Sequence, residues 1–135
     1  GAAAADPHLG PLAWGLALVL LLWTPPHFWS LAIANEDQYR AAGVPMLPVV
    51  VGAQRTARIV HAHAIALVAV SLLLVALGAG WIVLAGALIG GTHFLRKTQA
   101  LVRRQSRSTA MAAFFASMVQ LAVLLLAVVL DAAMR

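Results

Sequence analysis

The sequence predicts an all-α fold, a polytopic bundle of transmembrane helices with about four crossings. Three observations carry that reading. Hydrophobic residues make up 63% of the 135-residue chain and charged residues only 10%, giving a mean hydropathy of +0.94, which is outside the range of a water-soluble domain. The apolar residues gather in four runs, near 11–34, 60–77, 81–95 and 109–131, about the number that 135 residues allow at roughly 20 residues per span. The cations fall between those runs and almost never within them.

The first run, from Pro11 to Ala34, is long enough to span with some tilt, but Pro25 and Pro26 interrupt it. Two adjacent prolines remove two backbone donors and crowd the preceding turn, so a bend or an unwound turn is expected around Thr24–His27. Intramembrane Pro and His are tolerated mainly where they face protein, so His27 is expected to turn toward the bundle. With helical phase kept, Trp23, His27, Ser30, Leu31 and Ala34 share one face, which continues to Asp37 or Gln38. Such a stripe is either a site-lining surface or an interfacial aromatic belt with a histidine satisfied by a carbonyl.

The polar connector, 35–59, carries Glu36, Asp37, Tyr39 and Arg40, then the stiff Gly43-Val44-Pro45-Met46-Leu47-Pro48. Gly43 and Gly52 permit tight bends, and Pro45 and Pro48 favour extended residues before them. It reads as a site wall or as an ordinary solvated loop. The second and third runs, joined by the uncharged Gly78-Ala79-Gly80, form a tight hairpin. A basic connector, 95–108, precedes the fourth run, which closes on Asp131. Small residues at Ala85-Gly86-Ala87, Gly90-Gly91, Ala112-Ala113 and Ala116-Ser117 read as helix-packing surface. His61, His63 and His93 read as interfacial residues without a ligand, and Gln120 either bonds across helices or faces a cavity.

Four crossings place both long connectors at one end. Arg40, Arg55, Arg58, Arg96, Lys97, Arg103, Arg104 and Arg107 then share a side, eight of the nine cations, which the positive-inside rule makes cytoplasmic. Topology accounts for the basic residues, so nucleic acid is not a partner they call for. The absence of cysteine excludes disulfides, thiolate metal sites and cysteine nucleophiles. With Gly1 in first place and no basic residue before the first apolar run, no signal peptide is expected and the chain reads as a piece of something longer. Residues 1–135 are expected to form a single transmembrane region. Arginine far outnumbers lysine, and with the Ala, Val and Leu bias this suggests a GC-rich bacterial source; the expected location is a bacterial inner membrane.

A charged rim above an apolar interior suits an amphiphile with an anionic head and a hydrocarbon tail. Carboxylates would hold Mg²⁺, the metal would bridge phosphate oxygens, and Arg or Lys would neutralise the rest. The connector has two carboxylates for that task, Glu36 and Asp37. The stretches Trp23-Thr24-Pro25-Pro26-His27-Phe28-Trp29-Ser30-Leu31-Ala32-Ile33 and Tyr39-Arg40-Ala41-Ala42-Gly43-Val44-Pro45-Met46-Leu47-Pro48-Val49-Val50 closely resemble the protohaem IX farnesyltransferases (haem O synthases), UbiA-type membrane prenyltransferases. Gly52, Thr56, Ile59 and the Phe114-Phe115-Ala116-Ser117 stretch extend the resemblance.

The likeness corresponds to the C-terminal half of that family, the last four of nine helices. It implies farnesyl transfer from farnesyl diphosphate to a vinyl group of haem B, with Mg²⁺ as cofactor, the lipid bilayer as setting and an N-terminal half as partner. By the same likeness Asp37, Tyr39 and Arg40 are the catalytic candidates and Asp37 and Glu36 the metal candidates. Trp23, His27, Trp29, Arg96 and Lys97 are the substrate-binding candidates. Two departures stand out. The family's first aspartate-rich motif has no counterpart here, and Gln38 occupies the place before Tyr39 where relatives carry Asp. Asp37 stands one residue earlier, about 100° round a helix. Two other readings remain: a four-helix membrane fragment without activity of its own, and another UbiA-type prenyltransferase with an aromatic acceptor.

Overall fold

The computed structural model describes residues 10–76, 78 and 80–134. The Ala-rich start with Asp6-Pro7, and Leu77 at the end of the second predicted run, lie outside the described residues. The elements are α1 (Pro11–Ala34), α2 (Glu36–Ala41), α3 (Leu47–Val51), α4 (Ala53–Ala76), α5 (Trp81–Arg103) and α6 (Arg107–Ala133). The four long helices close a ring in which α1 packs on α4 and α6, and α5 on α4 and α6. Contacts between helices fix the register: Trp23 meets Ser117, His61 meets Thr98, and Gly80 meets Asp131. Each neighbour therefore runs antiparallel to the last.

Both connectors lie at one end, because Arg107 at the start of α6 donates to the carbonyl of Ala34 at the end of α1. That agrees with the cation distribution. Helices α1 (from Ala13), α4 and α6 are long and apolar enough to cross a membrane. Helix α5 spans 23 residues and completes the ring, but Arg96, Lys97 and Arg103 limit its uncharged part to the first fifteen or so.

The helices outrun the apolar stretches. Helix α4 begins at Ala53 and α5 continues to Arg103, so the connectors shrink to 35–52 and 104–106. Hydropathy locates the apolar span, whereas Arg, Lys and Gln are good helix formers that extend the same helix beyond it. Within the first connector, Gly43 and Gly52 take φ of 72° and 90°, where a side chain would be strained. These are the two bends that let the short helices α2 and α3 fold back.

Helix α1 runs unbroken through Pro25 and Pro26, so the expected unwound turn does not form. Pro26 is fully buried against the bundle, and packing holds the helical geometry despite two missing donors. Thr24 and Ser30 flank the pair and donate back to the carbonyls of Leu20 and Pro26.

Small residues line much of the interior, beside larger ones such as Phe94, Leu67, Leu74 and Leu101. Ala57, Ala64, Ala87, Ala110, Ala113 and Ala116 are buried, while Trp14, Trp81 and Ile89 point outward. This is the packing surface expected of helices in lipid. A Cβ on Gly86 would come within 2.5 Å of Ala127 Cβ, and one on Gly91 within 2.9 Å of Val68. Glycines therefore set the approach of α5 to both α6 and α4. At the far end the Asp131 carboxylate accepts from the backbone N–H of Gly80 at 3.1 Å, closing the start of α5 onto the end of α6.

Candidate functional site

The proline-flanked stretch of α1 builds a stack of rings. Trp23 and His27, one turn apart, lie 4.3 Å centroid to centroid and nearly parallel. Phe114 of α6 covers the opposite side of the imidazole at 4.5 Å, with Phe28 at its edge. His27 therefore faces the bundle, as expected. Ser117 fastens the stack twice: its carbonyl accepts from Trp23 Nε1 at 2.8 Å, and its Oγ lies 2.6 Å from His27 Nδ1.

That second contact assigns a proton. Ser117 Oγ donates its hydrogen to the Phe114 carbonyl at 2.6 Å, so toward His27 it acts as acceptor. Nδ1 carries the hydrogen, and Nε2 of the neutral ring keeps its lone pair. With both faces covered and Nδ1 tied, the imidazole is a fixed base presenting one edge. Three residues past Ser117 on α6, Gln120 is fully buried beside Gly90, and its Oε1 has no partner among the described residues.

A second feature lies at the connector end. A cavity of about 370 Å³ is lined by the end of α1, by Glu36, Asp37 and Gln38 of α2, and by Gln105, Ser106 and Arg107. Arg107 Nη1 donates to Asn35 Oδ1 at 2.8 Å and to the Ala34 carbonyl. Both acceptors are neutral, so these two bonds leave its charge to act on the cavity. Ser106 and Thr109 form a capping box that fixes the start of α6 at the cavity wall. The helix dipole and Arg107 thus both favour an anion at this mouth.

The predicted residues divide between these places. Glu36 and Asp37 share the cavity with Gln38, but Glu36 is paired with Arg40. Tyr39 is half-buried, and neither it nor Arg40 lines the cavity. Trp23 and His27 stand together, whereas Trp29 turns to α4 and meets His63 edge-on at 5.3 Å. Arg96 and Lys97 line a separate depression on α5. Arg107, Asn35 and Ser117 are the residues that sequence reasoning did not single out. Arg107 was one basic residue among five in its connector, and Ser117 one small residue in a packing stripe.

A divalent cation needs several oxygen ligands, and two carboxylates, one already ion-paired, do not supply them. Among the described residues no three of His, Cys, Asp and Glu converge on a metal position. His61 instead bonds Thr98 across α4 and α5 at 2.8 Å, and His63 donates from Nδ1 to the Ile59 carbonyl.

The pattern of the UbiA prenyltransferase family matches residues 1–129. The chain belongs to the UbiA prenyltransferase family. It is 57% identical over 131 residues to protoheme IX farnesyltransferase 2 of Paramagnetospirillum magneticum, covering 97% of this chain and 46% of that protein. Protoheme IX farnesyltransferase 1 of the same organism is 51% identical over 132 residues, with 97% and 47% covered. A protoheme IX farnesyltransferase of Thermus thermophilus is 41% identical over 134 residues, covering 98% of this chain and 22% of the relative. The chain thus spans about half the length of its P. magneticum relatives or less of others. No solved structure matches it.

Proposed function

We propose that this chain is the C-terminal half of an enzyme that transfers a farnesyl group from farnesyl diphosphate to a vinyl group of haem B, giving haem O. The observation that carries the reading is similarity across 97% of the chain to relatives named for that activity. The ring stack and the connector cavity both lie on the matched stretch.

In this reading the Trp23–His27–Phe114 stack forms a flat apolar wall for the porphyrin substrate, with Nε2 of His27 on its open edge. Trp29, turned to His63 of α4, lies outside this wall. Arg107 and the start of α6 receive the diphosphate, and Asp37 lines the same mouth, with Tyr39 and Arg40 behind it. The allylic C–O bond breaks and its electron pair leaves with the diphosphate. The vinyl carbon attacks the allylic cation. Water then adds to the resulting cation and loses a proton, completing the hydroxyethylfarnesyl group. Arg107 stabilises charge as it develops on the leaving group. The apolar wall keeps water from the cation before attack. Glu36 and Asp37 do not by themselves make a Mg²⁺ site, so no step is assigned to a metal here. An N-terminal half is the partner, the setting is a bacterial inner membrane, and both connectors are cytoplasmic.

The test is co-expression of this chain with an N-terminal half taken from a relative, in a host lacking its own synthase. Haem O is read by chromatography. Product is expected, and His27→Ala and Arg107→Gln should each lower turnover at least about tenfold, the loss of one charge-stabilising or positioning group. Prenylation of an aromatic acid, with haem B left unchanged, would overturn the substrate assignment.

A further inference from the structure

We propose that the outward face of α5 holds the phosphate headgroup of an anionic phospholipid from the surrounding bilayer. The site is distinct from the Arg107 cavity and does not depend on the farnesyl-transfer reading. Two depressions adjoin on this face. One, of about 310 Å³, is lined by His93, Arg96, Lys97 and Ala100. The other, of about 390 Å³, is lined by Leu88, Ile89, Thr92, His93 and Arg96. They share His93 and Arg96, so they form one groove along the helix.

The groove changes character along its length. Leu88 and Ile89 at one end are 48% and 67% exposed, and two cations crowd the other. At 1.5 Å per residue, Ile89 lies roughly 10 Å below Arg96 and Lys97 along the axis, about the offset from a lipid phosphate to its upper acyl carbons. Arg96 and Lys97 make no ion pair or hydrogen bond with the described residues. Thr92 and His93 add a hydroxyl and an imidazole at the same level.

Charge complementarity therefore asks for an amphiphile with an anionic head. No carboxylate lines either depression. A diphosphate with Mg²⁺ would need such ligands, whereas a phosphodiester needs only cations and a donor or two. Basic pockets on transmembrane helices at the membrane boundary are recognised by such headgroups. This gives Arg96 and Lys97 a task that the Arg107 cavity, which they do not line, cannot.

The test uses the full chain in nanodiscs of phosphatidylcholine containing a minor fraction of phosphatidylglycerol, with retained lipids counted by native mass spectrometry after extraction. Phosphatidylglycerol should be retained over phosphatidylcholine. Arg96→Gln with Lys97→Gln should cut that retention by roughly fivefold per cation. Arg103→Gln with Arg104→Gln removes equal charge outside the groove and should leave it unchanged. The charge-keeping pair Arg96→Lys and Lys97→Arg should retain the lipid, which separates lost charge from lost folding. No preference for phosphatidylglycerol, or equal loss in both glutamine pairs, would overturn the proposal. So would displacement of the lipid by farnesyl diphosphate, which would make the groove a substrate path.

Discussion

At the scale of single residues, Ser117 decides how His27 presents itself. Its hydroxyl passes one hydrogen to Phe114 and accepts another from Nδ1, so one side chain sets both the orientation and the tautomer of the imidazole. Ser117→Ala removes that acceptor while leaving the carbonyl bond from Trp23 Nε1 in place. A part-buried Nδ1–H left unpaired costs about 1–3 kcal/mol, so the unfolding midpoint in micelles should fall by a matching amount. Ser117→Thr keeps the hydroxyl and should restore most of it; equal loss in both variants would show that the hydroxyl is not the cause. Trp23 and His27 were legible from their spacing alone, because residues four apart on a helix stack. Ser117 was not, since a small residue on α6 gives no sign of what lies opposite it on α1. Nor was Arg107, whose neighbours in sequence are as basic as it is.

At the scale of elements, α5 is a helix with two glycine faces. Gly86 and Gly90 admit α6, and Gly91 admits α4. Gly86→Ala puts a methyl 2.5 Å from Ala127 Cβ, with both backbones held by their neighbours. Overpacking of this kind costs about 1–3 kcal/mol, read as a lowered unfolding midpoint. Ala127→Gly in the same chain vacates the space and should recover the loss; failure to recover would place the strain elsewhere. The existence and order of the four long helices were legible because apolar runs and cations alternate so cleanly. Their ends were not. Charged, helix-favouring residues at 96–103 and at 53–58 continue the helices past the apolar layer, and hydropathy is blind to them. Of the two outcomes the proline pair allowed, the unwound turn does not form, since packing around the buried Pro26 keeps the helix continuous despite the missing donors.

At the scale of the whole molecule, the bundle has two unlike ends. One gathers eight of the nine cations, both connectors and the Arg107 cavity; the other is closed by Asp131 on Gly80. The chain has no cysteine, so single cysteines at Gln54 or Arg104 on one end and at the exposed Met134 on the other report sidedness without background. An impermeant maleimide added to intact cells should label position 134 and spare 54 and 104. The reverse pattern would invert the orientation. The same two-ended design predicts that this chain alone makes no haem O. A diphosphate in the connector cavity meets Arg107, the start of α6 and two carboxylates, of which Glu36 is held by Arg40. A divalent cation takes about six oxygens in near-octahedral geometry, more than Asp37 and Glu36 provide. In the proposed reading the stack at Trp23, His27 and Phe114 supplies one side of the substrate site, and the missing half supplies the rest of the shield that keeps water from an allylic cation. Supplying an N-terminal half should bring turnover, and in that assembly Asp37→Ala should lower it severalfold. Asp131→Ala, at the far end, should cost about 0.5–2 kcal/mol of stability through the lost helix-start contact and leave turnover unchanged. The measurement is haem O by chromatography from membranes given haem B and farnesyl diphosphate. Product from residues 1–135 alone, in a host without its own synthase, would show that the wall and mouth seen here are already enough.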